Sequence, residues 1–598
     1  MAVFAWARSE FQYLAGGLRA LLRASAVARA PDRTWPVVAE ELARRFADRP
    51  ALVGDDETLT YAGLDARANA YARVARAHGI GRGDCVAVMM ANRPDYLAAW
   101  LGIARAGGVA ALLNTNQIGA ALAHSVALVA PVLAFVDAAL VPAWRAAEPM
   151  MPAPPRLLVR GQSEDPAARL DSLVAAADGR PLAPAERTPL THEDRCLYIF
   201  TSGTTGLPKA ANINHYRVLA IMVAFAAATA ATADDRIYVC LPLYHSSGGL
   251  VAVGSALTVG GAAVIAPRFS AGRFWDDVVD RRCTMVQYIG ELCRYLVNAP
   301  PHPKERRHRL RLATGNGLRP DVWPAFQSRF AIPRILEWYA STEGNLVLFN
   351  FDGTPGTVGR VPAWARFRFP LAVARLDPKT GELVRRADGL VDLAPDGEPG
   401  ELLSEVLVDP LKPSQRFEGY ADPAETAARI VADVRRPGDR WFRTGDLMSR
   451  DRRGYYRFHD RLGDGYRWKG ENVASAEVAA LLGGIAGVRA AAVYGVPVPG
   501  HEGRAGMAAI VVDEDFSPDR FAERLDALLP AYARPVFLRL VADLPATGTF
   551  KLTKLALARE GFDPALIDDP LFVRLDGGPF APLDAAAHAR LSAGLARL

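Results

Sequence analysis

Within this chain of 598 residues, one stretch suggests chemistry by residue type alone: Tyr198-Ile-Phe-Thr-Ser-Gly-Thr-Thr-Gly-Leu-Pro-Lys209. An apolar run leads into Thr201, Ser202, Gly203, Thr204, Thr205 and Gly206, and Lys209 follows. Glycines let a backbone approach a polyphosphate closely, hydroxyls and N–H groups donate hydrogen bonds, and the lysine adds positive charge. The spacing is not GxxxxGK[ST], which disfavours a Walker-type nucleoside triphosphatase. A hydroxyl-rich turn without a ligand is the plain alternative, but the run is more biased than a common turn requires. Other candidates are weaker when taken singly. His245 among apolar neighbours reads as a core histidine, Glu343 as a solvated acid, and Asp446 and Arg461 as surface charges.

Order along the chain changes that reading. The loop resembles the signature of the acyl-adenylate-forming (AMP-binding) superfamily, which includes acyl-CoA synthetases, luciferases and peptide-synthetase adenylation domains. Further matches follow in that family's order as far as Lys551. Leu241-Pro-Leu-Tyr-His-Ser-Ser-Gly248 is similar to the next motif, whose histidine, here His245, sits between the nucleotide and the acyl pocket. Glu337-Trp-Tyr-Ala-Ser-Thr-Glu343 resembles Tyr-Gly-x-Thr-Glu, with Ala340 in the glycine's place. The resemblance implies that Tyr339 stacks on adenine, Thr342 bonds phosphate and Glu343 binds Mg²⁺. A hard cation does take carboxylate oxygen and keeps substrate phosphates among its ligands. Trp441-Phe-Arg-Thr-Gly-Asp446 resembles the segment whose aspartate holds the ribose hydroxyls, a known carboxylate–diol pairing. Arg461 is then expected near ribose or phosphate.

Leu544-Pro-Ala-Thr-Gly-Thr-Phe-Lys551-Leu-Thr-Lys554 resembles Pro-x-Thr-x-x-Gly-Lys, with Phe550 replacing the glycine. Pro545 and Thr547 align Lys551 as the catalytic lysine, and Lys554 is its competitor. An ammonium aimed at the α-phosphate neutralises charge that builds in the transition state. The stretches YIGELCRYL, TGNGLRPDVW, DRLGDGYRWKGENV and TGTFKLTK resemble one branch, the very-long-chain acyl-CoA synthetases or fatty acid transport proteins. Gly315 and Asn316, in the second stretch, join the expected nucleotide-binding residues, and Gly470 is expected on the pantetheine channel. Gly463, just before Asp464, stands at the family's hinge position, where glycine permits large backbone rotations. Asn472 departs from the arginine that many relatives carry.

These residues need a scaffold, and from about residue 50 amphipathic helices alternate with short apolar strands. LTYAGLDARANAYARVARAHGI reads as a helix leading to the strand Cys85-Val-Ala-Val-Met-Met, and RPDYLAAWLGIARAGGVAALLN repeats the theme. Such alternation predicts a doubly wound α/β architecture with parallel sheets. Residues 355–460 carry strand runs punctuated by glycine and proline, and helices and strands return after 460. The expected fold class is therefore α/β. A large domain of two α/β subdomains plus a small β-barrel-like subdomain precedes a small mobile α+β domain. The boundaries are drawn as an amphipathic segment 1–45, an AMP-binding body 46–460 and a mobile domain 461–598.

Half the residues are apolar and 23% charged, enough for several cores and unlike a disordered chain. A net charge of +5 implies no nucleic-acid partner. ATP and coenzyme A account for the anionic partners, with a fatty acid as the third. Cysteines 85, 196, 240, 283 and 293 show no metal-ligand spacing, and a sparse odd count suits a reducing, cytoplasmic compartment. Arginines at 8, 19 and 23 and Glu10 interrupt any secretory signal core. The uncharged stretches 218–233 and 241–267 are read as buried core, the second as helix–turn–strand because of its glycines. Phe11, Leu14, Leu18, Leu21 and Leu22 recur at helical spacing beside Arg19 and Arg23. That stripe packs on its own domain or lies on the cytoplasmic face of a membrane. Oligomeric state is open, with a homodimer allowed.

The expected reaction is ATP-dependent, AMP-forming activation of a long-chain or very-long-chain fatty carboxylate to an acyl-adenylate, then thioester formation with coenzyme A and Mg²⁺ in support. The alternatives are a sterol, bile-acid-like or aryl carboxylate, or a fatty acid uptake protein with coupled activation. A transporter without ligase chemistry needs spanning helices, and none is convincing in the sequence.

Overall fold

Short apolar runs become buried parallel strands. Cys85–Met89 and Leu133–Asp137 are buried at every position, as a sheet covered on both faces requires. They sit centrally in a six-stranded sheet that is parallel apart from its last strand. A second, eight-stranded sheet runs parallel through its six inner strands and carries an antiparallel strand at each edge. The computed structural model describes residues 2–202, 207–377, 380–409, 413–462, 465–469, 471–499, 501, 503–546 and 554–593. Gly203, Thr204, Thr205, Gly206, Gly463, Asp464, Gly470, Thr547, Phe550 and Lys551 therefore lie outside the described residues.

The helix Pro94–Ala106 is buried along its whole length. Pro94 starts it, where a missing N–H costs nothing, and Gly107 ends it with φ of 94°. A Cβ at Gly102 would lie 2.7 Å from the Ala68 carbonyl, so glycine there lets this helix touch Tyr61–Ala77. Both helices and the strand Val109–Leu112 fall where the sequence predicts them.

The uncharged stretches are core. Residues 218–228 belong to the helix His215–Ala228, most of whose apolar side chains are buried. Residues 241–267 hold a π-helical turn Ser246–Ala252, the helix Val253–Leu257 and the strand Ala262–Ile265. Among the described residues no helix is long and apolar enough to cross a membrane. All five cysteines are buried and free, so they are packing groups.

The β-rich part is a six-stranded antiparallel sheet whose longest members are Arg440–Arg450 and Tyr455–Arg461. Beyond it, side chains from Tyr466 to Leu591 form a hydrophobic cluster of their own around a five-stranded mixed sheet. The class is α/β with a small α+β C-terminal unit.

Candidate active site

Both parallel sheets finish in the same way. Arg195–Ser202 turns back antiparallel into Pro208–Asn214, with Thr201 opposite Lys209 and Ser202 opposite Pro208. Ile335–Ala340 turns back into Val347–Asn350, with Ala340 opposite Val347. The Ser341-Thr342-Glu343 turn thus lies beyond the carboxyl end of a parallel strand, where open α/β sheets bind ligands, and Thr201 and Ser202 stand at the carboxyl end of another.

The second turn is held from several directions. Arg217 donates to the Thr342 carbonyl at 2.8 Å and to the Gly344 carbonyl. Burial pushes the Arg217 pKa down, and the carboxylates of Glu418 and Glu343 oppose that shift. Ser341 Oγ accepts from the Gly344 N–H at 3.0 Å, and the Ser246 and Thr342 hydroxyls are 3.1 Å apart. Glu343 Oε1 accepts from the Tyr420 hydroxyl at 2.8 Å; burial first, and the Glu343 charge second, raise the tyrosine's pKa.

Tyr420 also joins the two hairpins. The Lys209 ammonium stands 5.8 Å from its ring centroid and pairs with Glu425. Lys209 is buried in that pair, so it ties the first hairpin to the segment that orients Glu343.

His245 leads into the π-helical turn Ser246–Ala252. Cβ atoms at Gly248 and Gly249 would lie 2.5 and 2.4 Å from the Pro242 and Leu243 carbonyls, so only glycine closes this turn. Burial holds the His245 imidazole down to about 4, and the ring is neutral at neutral pH although part of its surface is open.

A second cluster forms where the antiparallel sheet meets the second hairpin. Asp446 and Arg461 are opposed on neighbouring strands, and Arg461 Nε lies 3.3 Å from Asp446 Oδ1. The Tyr339 hydroxyl donates to Asp446 Oδ2 at 2.5 Å. Asp446 is 3% exposed, and its backbone N–H donates to Thr444 Oγ1. Tyr339, Asp446 and Arg461, distant in sequence, meet here.

Gly315 and Asn316 end the strand beside Tyr339's own. A Cβ at Gly315 would lie 2.2 Å from the Tyr288 carbonyl, and one at Gly290 would lie 1.7 Å from the Gly317 carbonyl. Asn316 Oδ1 is buried with no hydrogen-bond partner among the described residues, which leaves an acceptor beside the Tyr339 strand.

Sequence reasoning passed over Glu337, which holds this corner. It is 2% exposed, accepts from the Leu318 N–H at 3.0 Å and accepts from the Tyr288 hydroxyl at 2.5 Å. Burial pushes its carboxyl up to about 8, so it is protonated at neutral pH. Arg217, Tyr420, Ser246 and Glu425 were missed as well. Arg217 had a signal: it is the one charge in an otherwise apolar helix. Lys554, the competitor of Lys551, donates to Ser475 Oγ at 2.6 Å and so is engaged within the C-terminal unit.

The family model for AMP-binding enzymes matches residues 39–405, and that for the AMP-binding enzyme C-terminal domain matches 477–551. The chain is 41% identical over 594 residues to long-chain fatty acid transport protein 1 of Mus musculus, covering 97% of this chain and 91% of that one. It is 40% identical over 540 residues to a medium/long-chain-fatty-acid–CoA ligase of Mycobacterium tuberculosis, covering 90% and 87%. The crystal structure of ATP-bound MatB from Rhodopseudomonas palustris superposes with a TM-score of 0.70 at 26% identity, over 87% of this chain and 98% of that one. A chain with these motifs, this pair of sheet-end turns and these relatives belongs to the AMP-binding enzyme family, in the branch of the long-chain fatty acid transport proteins.

Proposed function

We propose that this chain is an AMP-forming ligase that joins long-chain fatty carboxylates to coenzyme A. One observation carries the reading: separate elements bring Thr342 and Glu343 together with Ser246 and Tyr420, and Tyr339 together with Asp446 and Arg461. The relatives named above, a fatty acid transport protein and a fatty-acid–CoA ligase, favour a fatty chain as the acid.

In the first half-reaction a carboxylate oxygen bonds to the α-phosphorus of ATP, and the bond to pyrophosphate breaks. Tyr339 offers its ring to adenine, the open Asn316 acceptor suits an exocyclic amine, and Asp446 with Arg461 takes the ribose. The hydroxyls at 201–205 and Thr342 donate to phosphate oxygens. Glu343 would offer a hard carboxylate oxygen to Mg²⁺, a cation usually held by one or two carboxylates with substrate phosphates rather than by an all-protein cage. When bound, Mg²⁺ offsets phosphate charge. His245, neutral, hydrogen-bonds between the nucleotide and acyl compartments without adding charge. Lys551 neutralises charge on the carboxylate and α-phosphate as they meet.

In the second half-reaction the coenzyme A sulfur bonds to the acyl carbon, AMP leaves and the thiol proton passes to solvent. The C-terminal unit, 461–598, rotates at Gly463 between the two steps, withdrawing Lys551 and bringing Gly470 to the pantetheine. The test is thioester formation across saturated acids of increasing length, set against aryl and sterol acids. Activity that rises along the fatty series supports the reading. Activity confined to ring acids contradicts it.

A further inference from the structure

The eight-stranded sheet holds a polar side chain at its centre that the site described above does not use. Gln287, in the strand Met285–Ile289, is fully buried, and neither its Oε1 nor its Nε2 finds a hydrogen-bond partner among the described residues. A buried amide left unpaired at both ends is costly, and native proteins keep few such groups. The adjacent strand gives no relief. Thr314, opposite Gln287, donates its hydroxyl to the Leu336 carbonyl at 3.1 Å.

Strand alternation fixes the side on which the amide stands. Met285, Leu312 and Leu336 share its face, and they join one hydrophobic cluster with Phe225, Leu250 and Val251. The amide therefore faces the layer between the sheet, the helix His215–Ala228 and the π-helical turn that follows His245. On the strand Ile335–Ala340 the same face continues through Trp338 to Ala340, which leads into the Ser341-Thr342-Glu343 turn. Trp338 also keeps an unpartnered Nε1–H and packs edge-on to Phe225, with centroids 4.9 Å apart.

An aliphatic chain whose carboxylate is activated at that turn meets apolar surroundings along this layer, with Gln287 as the exception. At about 3.3 Å per residue and about 4.8 Å per strand, Gln287 stands roughly 16 Å from Ala340. That is remote from the reacting carboxylate and level with the middle of a long chain. We propose that Gln287 is a specificity-determining residue that reads a hydroxyl carried partway along the fatty chain. A hydroxyl both donates and accepts, so it can meet either end of the amide, whereas a methylene meets neither. A plain chain leaves the buried amide unpaired, and a site built to bond a hydroxyl discriminates through that unpaired group. This inference rests on the ligase reading and narrows the preferred acid.

The test is acid-dependent pyrophosphate exchange with stearate and with 2-, 10- and 12-hydroxystearate. Wild type is expected to show a kcat/KM about tenfold or more higher for 10- or 12-hydroxystearate than for stearate, and no such gain for 2-hydroxystearate. Gln287→Met keeps the length of the side chain and removes both polar atoms, so the ratio should fall to about one or below. Gln287→Leu is a second apolar variant with the same expectation. The ratio is read within each variant, so loss of folded enzyme cancels. Wild type that treats the mid-chain hydroxy acids and stearate alike overturns the proposal and leaves the ligase reading standing. So does an apolar variant that keeps the full preference, or a preference for 2-hydroxystearate, which assigns recognition to the carboxylate end. No exchange with any of the four acids overturns both readings.

Discussion

One parallel sheet ends in the strand pair Arg195–Ser202 and Pro208–Asn214, and the sequence between them holds two glycines and two threonines at 203–206. At the end of the other the chain turns through Ser341-Thr342-Glu343-Gly344, where Arg217, Ser246 and Tyr420 hold carbonyls, a hydroxyl and a carboxylate. The strand topology is the same on both sides, yet the chemistry differs. By residue type, 203–206 supply backbone and hydroxyl donors suited to a phosphate chain. The anchored turn presents a carboxylate whose position is fixed before substrate arrives, and a fixed group costs no reorganisation during reaction. Tyr420 bonds Glu343 and faces Lys209, so one side chain meets residues of both hairpin regions.

The comparison can be broken at graded cost. Lys551→Ala acts on both turns at once, because it removes the cation proposed to reach the reacting phosphate. Acyl-adenylate formation should fall about 10²–10³-fold while thioester formation from supplied acyl-adenylate persists, as followed by pyrophosphate release and by acyl-CoA yield. Arg217→Met frees two carbonyls of the anchored turn. It should lower kcat about tenfold to a hundredfold with a smaller change in KM for ATP, since misplacement of a positioned group is costly. Tyr420→Phe keeps the ring beside Lys209 but removes the bond to Glu343; an effect of about tenfold on kcat/KM is expected from one bond to a charged group.

How far the sequence foretold this arrangement depends on the range of the interactions. Cys85–Met89 and Pro94–Ala106 were legible because continuous apolar runs and a Pro start with a Gly stop are local signals. The motif residues were legible as types at fixed spacing. The ties between them were not. Tyr420 meets Glu343 across 77 residues and Lys209 meets Glu425 across 216, and no periodicity encodes such pairings. The N-terminal stripe was visible as a helix face, but its orientation depended on Gly16 meeting Phe351.

Glu337→Gln should have the smallest effect on turnover and a distinct effect on stability. The Glu337 carboxyl titrates near 8 in the folded chain and near its ordinary value when unfolded. The native state therefore holds a proton that the unfolded chain has released. That contribution is full below about pH 4.5 and is lost as pH rises through 8, on the order of a few kcal/mol. Glutamine keeps an acceptor for the Leu318 N–H, and its amide N–H can donate to the Tyr288 oxygen in place of accepting from that hydroxyl. Chemical denaturation should therefore show a flatter stability profile between pH 5 and 8 than wild type, at nearly wild-type activity. An unchanged slope rules out a protonated Glu337.

The two sheet-end turns are proposed to form one adenylation site that works before coenzyme A binds. Fatty-acid-dependent exchange of labelled pyrophosphate into ATP, measured without coenzyme A, tests this directly. One site predicts exchange that needs the fatty acid and not coenzyme A, with AMP released once coenzyme A is added. Exchange that requires coenzyme A, or release of ADP and phosphate, contradicts it.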